Sequence, residues 1–236
     1  MLELENINVY YGEFRVLKNI SLKVEPKELV AVLGPNGHGK STLLKTICGL
    51  INPESGSIRY DGVEISHLST EQITEMGIVY IAEDRNLFPD MTVMENLRLG
   101  AYNKNARKPA IVKRNLEFVF EFFPRLKEWS KRKAGTLSGG EARMCAIGRG
   151  LMAAPKFIAI DEPSLGLAPI IRTDVFSKIA EINNTGTSVL LVEQNVVESA
   201  RLIERSYIID DGKIVFEGTK DEMFNNDHVM KVFLGA

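Results

Sequence analysis

Apolar and polar residues alternate in different ways along this chain, and each pattern predicts a different kind of strand. Residues 2–10 and 20–24 alternate apolar with polar side chains, which is typical of antiparallel strands buried on one face. Continuous apolar runs cover 29–33, 156–160 and 187–192. Such runs predict parallel strands that are buried on both faces. The sequence therefore predicts a parallel core with antiparallel strands at its flank.

A helical period replaces the strand patterns from residue 92 to residue 151. Thr92 followed by Glu95 has the spacing of a helix N-cap, and residues 111–123 form an amphipathic segment that ends before Pro124. Because strand patterns lie on both sides, we expect a helical subdomain at about 92–151, inserted into a core made of 1–91 and 152–236. The predicted fold class is α/β, with a mixed sheet, an N-terminal antiparallel β subdomain and an inserted α-helical subdomain.

A glycine-rich turn follows the first apolar run and leads into a helix-compatible stretch. Its residues are Gly34, Pro35, Asn36, Gly37, His38, Gly39, Lys40, Ser41 and Thr42. Strand, glycine-rich loop and helix are the context of a phosphate-binding loop, in which backbone N–H groups and the helix N-terminus bind a polyphosphate. Lys40 would reach the β- and γ-phosphates, and Ser41 would supply a hydroxyl to Mg²⁺. A chance match is the alternative, but both flanks favour a P-loop core that binds a nucleoside triphosphate.

Three aromatic residues near this loop allow more than one interpretation. His38 fills a variable position that contributes its backbone N–H, so we expect a spacer and neither proton transfer nor metal binding. Tyr10 and Tyr11 lie at the end of the first predicted strand, where a ring could stack on a nucleotide base. A plain surface or core position explains either tyrosine equally well.

Two further motifs carry chemistry. Asp161 and Glu162 follow the apolar run at 156–160, and the carboxyl end of a buried strand is where ligands bind in open α/β sheets. Asp161 would hold Mg²⁺ through its water shell, and Glu162 would polarise the attacking water. Ser138, Gly139 and Gly140 open an apolar helix predicted at 142–152, a second geometry that suits an anion.

Length and charge narrow the function classes. The 236 residues suit one α/β domain, and a net charge of −2 gives no broad electrostatic footprint for nucleic acid. The N-terminal stretch lacks the pattern of a signal peptide, and no window is apolar enough to span a membrane. Cys48 and Cys145 lie in apolar helix-like segments, which predicts buried thiols in a reducing compartment. We expect a cytoplasmic protein.

The motifs GPNGHGKST, LSGGE and FIAIDEPS, in this order and spacing, resemble the nucleotide-binding subunits of ATP-binding cassette (ABC) transporters. The resemblance covers nearly the whole chain. The stretches AEDRNLFPDMTVMENL, LSGGEARMCAIGRGLM, DEPSLGLAP and LLVEQN are similar to the LivF-type ATPases of branched-chain amino acid importers.

The resemblance implies a head-to-tail dimer, with a second copy or with a paralogous ATPase. Lys40 of one subunit and Ser138 to Gly140 of the other would bind one ATP, and Tyr11 would be the base-stacking aromatic residue. The loop around Glu83 to Pro89, together with the helical insertion, would receive a short helix from a membrane permease subunit. An external solute-binding protein would act indirectly, and the chain would lie on the inner face of the cell membrane.

The sequence departs from the broad family pattern at several positions. Glu83 stands where most members have a glutamine near Mg²⁺ and water, and Gln194 stands in place of the switch histidine. Glu141 replaces the last glutamine of the signature, and Ser164 to Leu167 lacks the usual aspartate. Because Gln194 cannot change charge near neutral pH, we expect reduced hydrolysis at this site.

Two alternatives stay open from sequence. A LivF-like subunit could serve another small solute such as urea or an amide, because solute choice resides in other polypeptides. A cassette ATPase acting on nucleic acid is the rival class, although tandem cassettes and long coiled-coil insertions are lacking here.

Overall fold

A computed structural model describes residues 1–194, 199, 203–226 and 229 of the chain. Its strands are β1 (Leu2–Tyr11), β2 (Phe14–Val24), β3 (Leu29–Leu33), β4 (Ser55–Tyr60), β5 (Val63–Glu64), β6 (Ile78–Ile81), β7 (Phe157–Asp161), β8 (Ser188–Glu193), β9 (Arg205–Asp210) and β10 (Lys213–Thr219). Its helices are α1 (Lys40–Ile47), α2 (Thr70–Glu75), α3 (Val93–Leu99), α4 (Pro109–Phe122), α5 (Pro124–Glu128), α6 (Gly139–Leu151), α7 (Pro169–Asn184) and α8 (Lys220–Phe224), with a 3₁₀ turn at Ala134–Thr136.

The central sheet has six strands in the order β10-β9-β3-β8-β7-β6. The strands from β9 to β6 in this order pair in parallel, and β10 pairs with β9 antiparallel at the edge. This mixed sheet confirms the predicted α/β class. The apolar runs predicted as its buried strands are β3, β7 and β8, with β7 and β8 shifted by one residue toward the C-terminus.

Each buried strand sends alternate side chains to opposite faces of the sheet, as strand geometry requires. In β3, Ala31 and Leu33 pack into a core shared with the helices α3 to α7. Val30 and Val32 pack into a second core beneath α1 and the antiparallel strands. Because both faces are covered, these strands are apolar throughout, and the run Leu29–Leu33 shows no alternation in sequence.

A second sheet has four strands in the order β2-β1-β4-β5, all antiparallel. It confirms the predicted N-terminal antiparallel sheet, although β2 begins at Phe14, six residues before the predicted Ile20. The register of β1 shifts between Leu4 and Ile7, next to Asn6, whose φ is 52°. These irregularities interrupt the simple alternation on which the sequence-based prediction depended.

Residues 82–156, all of which the structure describes, contain helices and no strand. Thr92 and Glu95 form the predicted capping box, and Pro124 both follows α4 and begins α5. The helix predicted from Ala142 begins at Gly139, because Ser138 caps it with Glu141 as the reciprocal partner. The sequence did not predict α7. The boundaries of the inserted subdomain stay a prediction.

The carboxyl ends of β3, β6, β7 and β8 lie at one edge of the central sheet, because these strands are parallel. The loops after these strands therefore meet there. Among the described helices, none is long and apolar enough to cross a membrane. In the LLVEQN stretch, Asn195 lies outside the described residues.

Candidate functional site

The loop after β3 has the backbone of an anion-binding turn. It leads directly into α1, whose N-cap is Gly39 with φ of 100° and no side-chain cap. The first N–H groups of this eight-residue helix are therefore left for a ligand. The backbone angle favours glycine there, and a Cβ would lie 2.7 Å from Cδ2 of Leu17, so that methyl group would have to shift.

Lys40 folds back across the same loop. Its side chain is only 3% exposed, and Nζ lies 3.0 Å from the Pro35 carbonyl oxygen and 3.4 Å from Oδ1 of Asn36. Nζ also forms a 3.2 Å ion pair with Oε1 of Glu162. The ammonium group thus lies at the mouth of the loop, facing the carboxylate that follows β7.

Asp161 is held between two hydroxyl groups. Ser41 Oγ donates to Oδ1 of Asp161 at 2.9 Å, and the Tyr80 hydroxyl donates to Oδ2 at 2.7 Å. Burial and the Asp161 carboxylate raise the pKa of Tyr80, so its hydroxyl stays a proton donor. The first residues of α1 and the last residue of β7 therefore present adjacent oxygen atoms.

Glu162 is buried in a left-handed backbone conformation, with φ of 41°. Its N–H donates to the Val192 carbonyl at 3.0 Å, and its own carbonyl accepts from Leu165 N–H at 3.2 Å. Arg143 Nη2 donates to the same carbonyl at 3.1 Å. The peptide that carries this carboxylate is therefore anchored on both sides.

Glu193, at the end of β8, lies beside this peptide. Its carboxylate accepts from Ser164 N–H at 2.8 Å and from Gln194 N–H at 3.3 Å. Burial raises the pKa of Glu193, hydrogen bonding to Ser164 opposes that rise, and the negative charge of Glu162 adds to it. Gln194 itself is exposed.

A cavity of about 290 Å³ extends from the loop to Glu83 and Glu162. Its lining residues are Val16, Asn36, Gly37, Gly39, Lys40, Ser41, Thr42, Glu83 and Glu162. Burial raises the pKa of Glu83, and the carboxylates of Glu162 and Asp161 raise it further. Glu83 thus lies within the electrostatic reach of both predicted site acids.

His38 and the two tyrosines do not line this cavity. His38 Nδ1 lies 2.8 Å from Oδ1 of Asp210 and 3.0 Å from the Asp211 nitrogen, which fixes the loop to the β9–β10 turn. Tyr10 is 41% exposed and Tyr11 is 52% exposed, so both rings are accessible at the end of β1.

Ser138, Gly139 and Gly140 lie at the N-terminus of α6, and Ser138 and Gly140 line a different cavity, of about 570 Å³. Neither residue lines the cavity beside Lys40. Gly139 is close to the Arg85 guanidinium, which lies 3.6 Å from where a Cβ would be. Within one chain, the structure therefore brings Lys40, Ser41, Asp161, Glu83 and Glu162 together, but not the 138–140 turn.

Sequence reasoning missed three residues of this region. Tyr80, Arg143 and Glu193 each bind a predicted site residue or its neighbour through hydrogen bonds. Each carries a signal that could have been used, because each is a polar residue within or directly after an apolar strand or helix. Such residues are seldom buried without a partner.

These features define a P-loop nucleoside triphosphatase of the α/β class. A glycine-rich turn leads into an uncapped helix, with a lysine and a serine facing an acidic pair at the end of a parallel strand. Residues 17–165 of the chain match the protein family described as "ABC transporter". The chain belongs to the ABC transporter family, and it is an ATP-binding, ATP-hydrolysing cassette of that family.

Known proteins resemble the chain over its full length. The high-affinity branched-chain amino acid transport ATP-binding protein BraG of Pseudomonas aeruginosa is 41% identical, with 100% of each chain covered. The lipopolysaccharide export system ATP-binding protein LptB of Haemophilus influenzae is 35% identical, covering 100% of this chain and 97% of its own. A solved ATP-binding cassette of an ABC transporter superposes with a TM-score of 0.89 at 30% identity, covering 99% of this chain and 98% of its own.

Proposed function

We propose that this cassette supplies the energy for an importer of branched-chain amino acids, through membrane permease subunits. The observation that carries the ATPase chemistry is the buried Lys40–Glu162 ion pair beside the Ser41–Asp161 hydrogen bond. The full-length identity of 41% to BraG, against 35% to LptB, supports the choice of solute class. Export of a lipopolysaccharide by an LptB-like complex is therefore the less supported assignment.

The loop would bind the triphosphate of ATP through its backbone. The N–H groups offered to the phosphates would be those of Asn36, Gly37, His38 and Gly39, followed by those of Lys40, Ser41 and Thr42. Gly34 and Pro35 would only shape the start of the loop, because the Gly34 N–H donates to the Glu193 carbonyl at 3.3 Å and proline has no N–H. Lys40 would leave Glu162 and bind the β- and γ-phosphates, since a phosphate is the stronger partner for its ammonium group. Tyr11 would stack on the base.

The oxygen atoms of Ser41 and Asp161 fit Mg²⁺. This ion takes one or two protein ligands and completes its shell with water and substrate phosphates. The two side chains already lie 2.9 Å apart, and Tyr80 fixes the second oxygen of Asp161. When bound, Mg²⁺ neutralises charge on the transferring phosphate. Glu83 would contact the outer water shell of the same ion.

Glu162 would polarise the attacking water, and Gln194 would orient the γ-phosphate. Release of Glu162 from Lys40 would free its carboxylate for this role at the moment when ATP arrives. Gln194 offers a neutral amide, which can donate a hydrogen bond but cannot take up a proton. We therefore propose slow hydrolysis at this site compared with a histidine-containing partner site.

A second cassette would complete each site. The separation of the 138–140 turn from the Lys40 cavity supports this arrangement. The N-terminus of α6 suits an anion, but it does not line the cavity in which its own chain would bind the phosphates. We propose a head-to-tail dimer with a second copy or a paralogue, in which Ser138, Gly139 and Gly140 close over the ATP of the partner.

The membrane subunits would dock at the loop after β6. Phe88 is 51% exposed and Met91 is 38% exposed, so their apolar side chains are accessible to the apolar face of a short amphipathic helix. This docking would place the chain on the inner face of the cell membrane. An external solute-binding protein would act through the same permeases, with urea or amides as alternative solutes.

Complementation tests the shared site. A Lys40→Ala copy and a Ser138→Ala copy, each inactive alone, should regain part of the ATPase activity when mixed under conditions where they pair. Absence of any recovery, with pairing shown by light scattering, would contradict the dimer.

The solute is tested by reconstituting the cassette with the permeases and binding protein of its neighbouring genes. Stimulation of ATPase by urea and not by leucine would refute the proposed solute, and salt-sensitive nucleic-acid binding in a pulldown would revive the rival class.

A further inference from the structure

Arg143 is a buried side chain in α6 that reaches two separate loops. It is 1% exposed. Nη1 donates to the Ala82 carbonyl at 3.1 Å, and Nη2 donates to the Glu83 carbonyl at 2.9 Å and to the Glu162 carbonyl at 3.1 Å. The Ala82 and Glu83 carbonyls follow β6, and the Glu162 carbonyl follows β7. One guanidinium group therefore bridges the loop after β6 and the peptide that carries the catalytic carboxylate.

Filling the core does not explain a charged group at this position. Burial lowers the pKa of Arg143, and its Nε has no hydrogen-bond partner in the part of the chain that the structure describes. An apolar side chain of similar size avoids the desolvation cost of a buried cation. All three hydrogen bonds of the guanidinium go to backbone carbonyls. The charged group therefore serves to bind these carbonyls.

Both segments that Arg143 joins have backbone that depends on outside support. Arg85 and Asn86, in the loop after β6, have φ of 61° and 46°, and Glu162 has φ of 41°. Residues other than glycine rarely adopt this region, and they keep it only where surrounding contacts hold it. Arg143 is hydrogen-bonded to both segments, so its guanidinium is the group through which a displacement of one would reach the other.

We propose that Arg143 is a positioning residue that couples residues 82–89 to the orientation of the Glu162 carboxylate. A helix docked on this loop shifts the carbonyls of Ala82 and Glu83, and the rigid guanidinium passes the shift to the Glu162 carbonyl. The inference rests on the proposed function, because that function supplies the docking partner. It adds the path by which the partner controls hydrolysis.

Arg149 is a matched control on the same helix. It binds the same loop further along, with Nη1 donating to the Asn86 carbonyl at 2.6 Å and Nη2 donating to the Arg85 carbonyl at 2.8 Å. Its bonds include none to Glu162. Burial lowers the pKa of Arg149 as well, and this partly exposed arginine lacks the bond that Arg143 makes to the catalytic peptide.

The experiment compares Arg143→Met, Arg143→Lys and Arg149→Met in the cassette alone and in the complex with its permeases. Methionine fills the space without donating, so a loss of activity is not caused by a cavity. For Arg143→Met we expect kcat to fall on the order of 10- to 100-fold, since small misplacement of a catalytic group has effects of this size. The KM for ATP and the affinity for ATP should change by less than about twofold. Arg143→Lys should recover part of kcat.

Hydrogen exchange supplies a readout that does not depend on activity. Arg143→Met should speed exchange both in residues 82–86 and in residues 162–165, whereas Arg149→Met should speed it in the loop after β6 alone. Arg149→Met should keep the kcat of the isolated cassette and lose stimulation by the permeases.

Wild-type kcat in Arg143→Met would overturn the coupling. Equal losses of kcat and ATP affinity, or faster exchange in only one of the two segments, would also overturn it, because the residue would then support the fold generally. If the unmodified cassette hydrolyses no ATP with any partner, the proposed function fails, and the exchange pattern still decides whether Arg143 joins the two segments.

Discussion

The hydroxyl of Ser41 donates a 2.9 Å hydrogen bond to Oδ1 of Asp161, although 120 residues separate them in the chain. The contact joins the first turn of α1 to the last residue of β7. Tyr80 binds the other carboxylate oxygen at 2.7 Å, so Asp161 has little freedom to rotate. The position at which Mg²⁺ would bind is thus set by three elements of the fold.

Tyr80→Phe tests this arrangement. The variant keeps the ring but removes the hydroxyl that holds Oδ2, so we expect the Mg²⁺ concentration for half-maximal ATPase to rise on the order of tenfold. Ser41→Ala, which removes the hydroxyl proposed as a direct ligand, should raise it further. Activity is measured against free Mg²⁺ at saturating ATP. An unchanged Mg²⁺ dependence in both variants would mean that these oxygens do not hold the ion.

The Lys40–Glu162 ion pair predicts a non-additive effect on stability. Lys40→Met leaves the Glu162 carboxylate buried and unpaired, which costs about 3–5 kcal/mol in comparable pairs. The double variant Lys40→Met, Glu162→Gln removes both charges and should recover most of that free energy of unfolding. Urea denaturation without nucleotide measures all the variants. Losses that simply add would show that the pair is not coupled in the folded protein.

Glu162→Gln separates ATP binding from hydrolysis. The amide keeps the shape of the side chain but cannot polarise water, so turnover should fall on the order of 10²–10⁴-fold. ATP binding should persist, and light scattering should detect an ATP-dependent dimer that outlasts that of the unmodified chain. Glu121→Gln, on the exposed side of α4, is the control substitution. If Glu162→Gln turned over ATP as fast as the unmodified chain, Glu162 would not be the residue that polarises the attacking water.

The two thiols should be inert in the folded protein. Burial raises the pKa of Cys48 from 9.0 to about 12 and that of Cys145 to about 11. Only the thiolate reacts, so at pH 8 neither should react with a disulfide reagent until urea is added. Reaction of either thiol in the native protein would show that its site opens readily.

The same shift predicts how stability depends on pH. The folded-state pKa of Cys48 is raised, so its contribution to stability is complete below pH 9.0 and is lost as pH rises toward about 12. Urea midpoints measured across this window should fall less in Cys48→Ala than in the unmodified chain. An equal fall in both would assign the alkaline instability to other groups.

The sequence by itself determined the chemistry of the loop and the class of the fold. Gly39, Lys40 and Ser41 are adjacent in the chain, so their relation depends on local backbone geometry that glycine and a helix start specify. The apolar runs likewise predicted β3, β7 and β8 to within a residue, because a strand that is covered on both faces is apolar along most of its length. The start of α6 was less well predicted, since paired glycines gave no helical period before Ala142.

Tertiary structure alone decided the contacts of Tyr80, Arg143 and Glu193, which belong to no motif. Parallel pairing of β6, β7, β8 and β3 brings Tyr80 to Asp161, and Glu193 to the peptide after Glu162, and no local pattern encodes this pairing. The bridge from Arg143 to the loops after β6 and β7 also depends on how α6 packs against the sheet. Local hydrogen bonds and side-chain periods are set by neighbours in sequence, whereas these contacts depend on long-range packing, which a one-dimensional pattern does not contain.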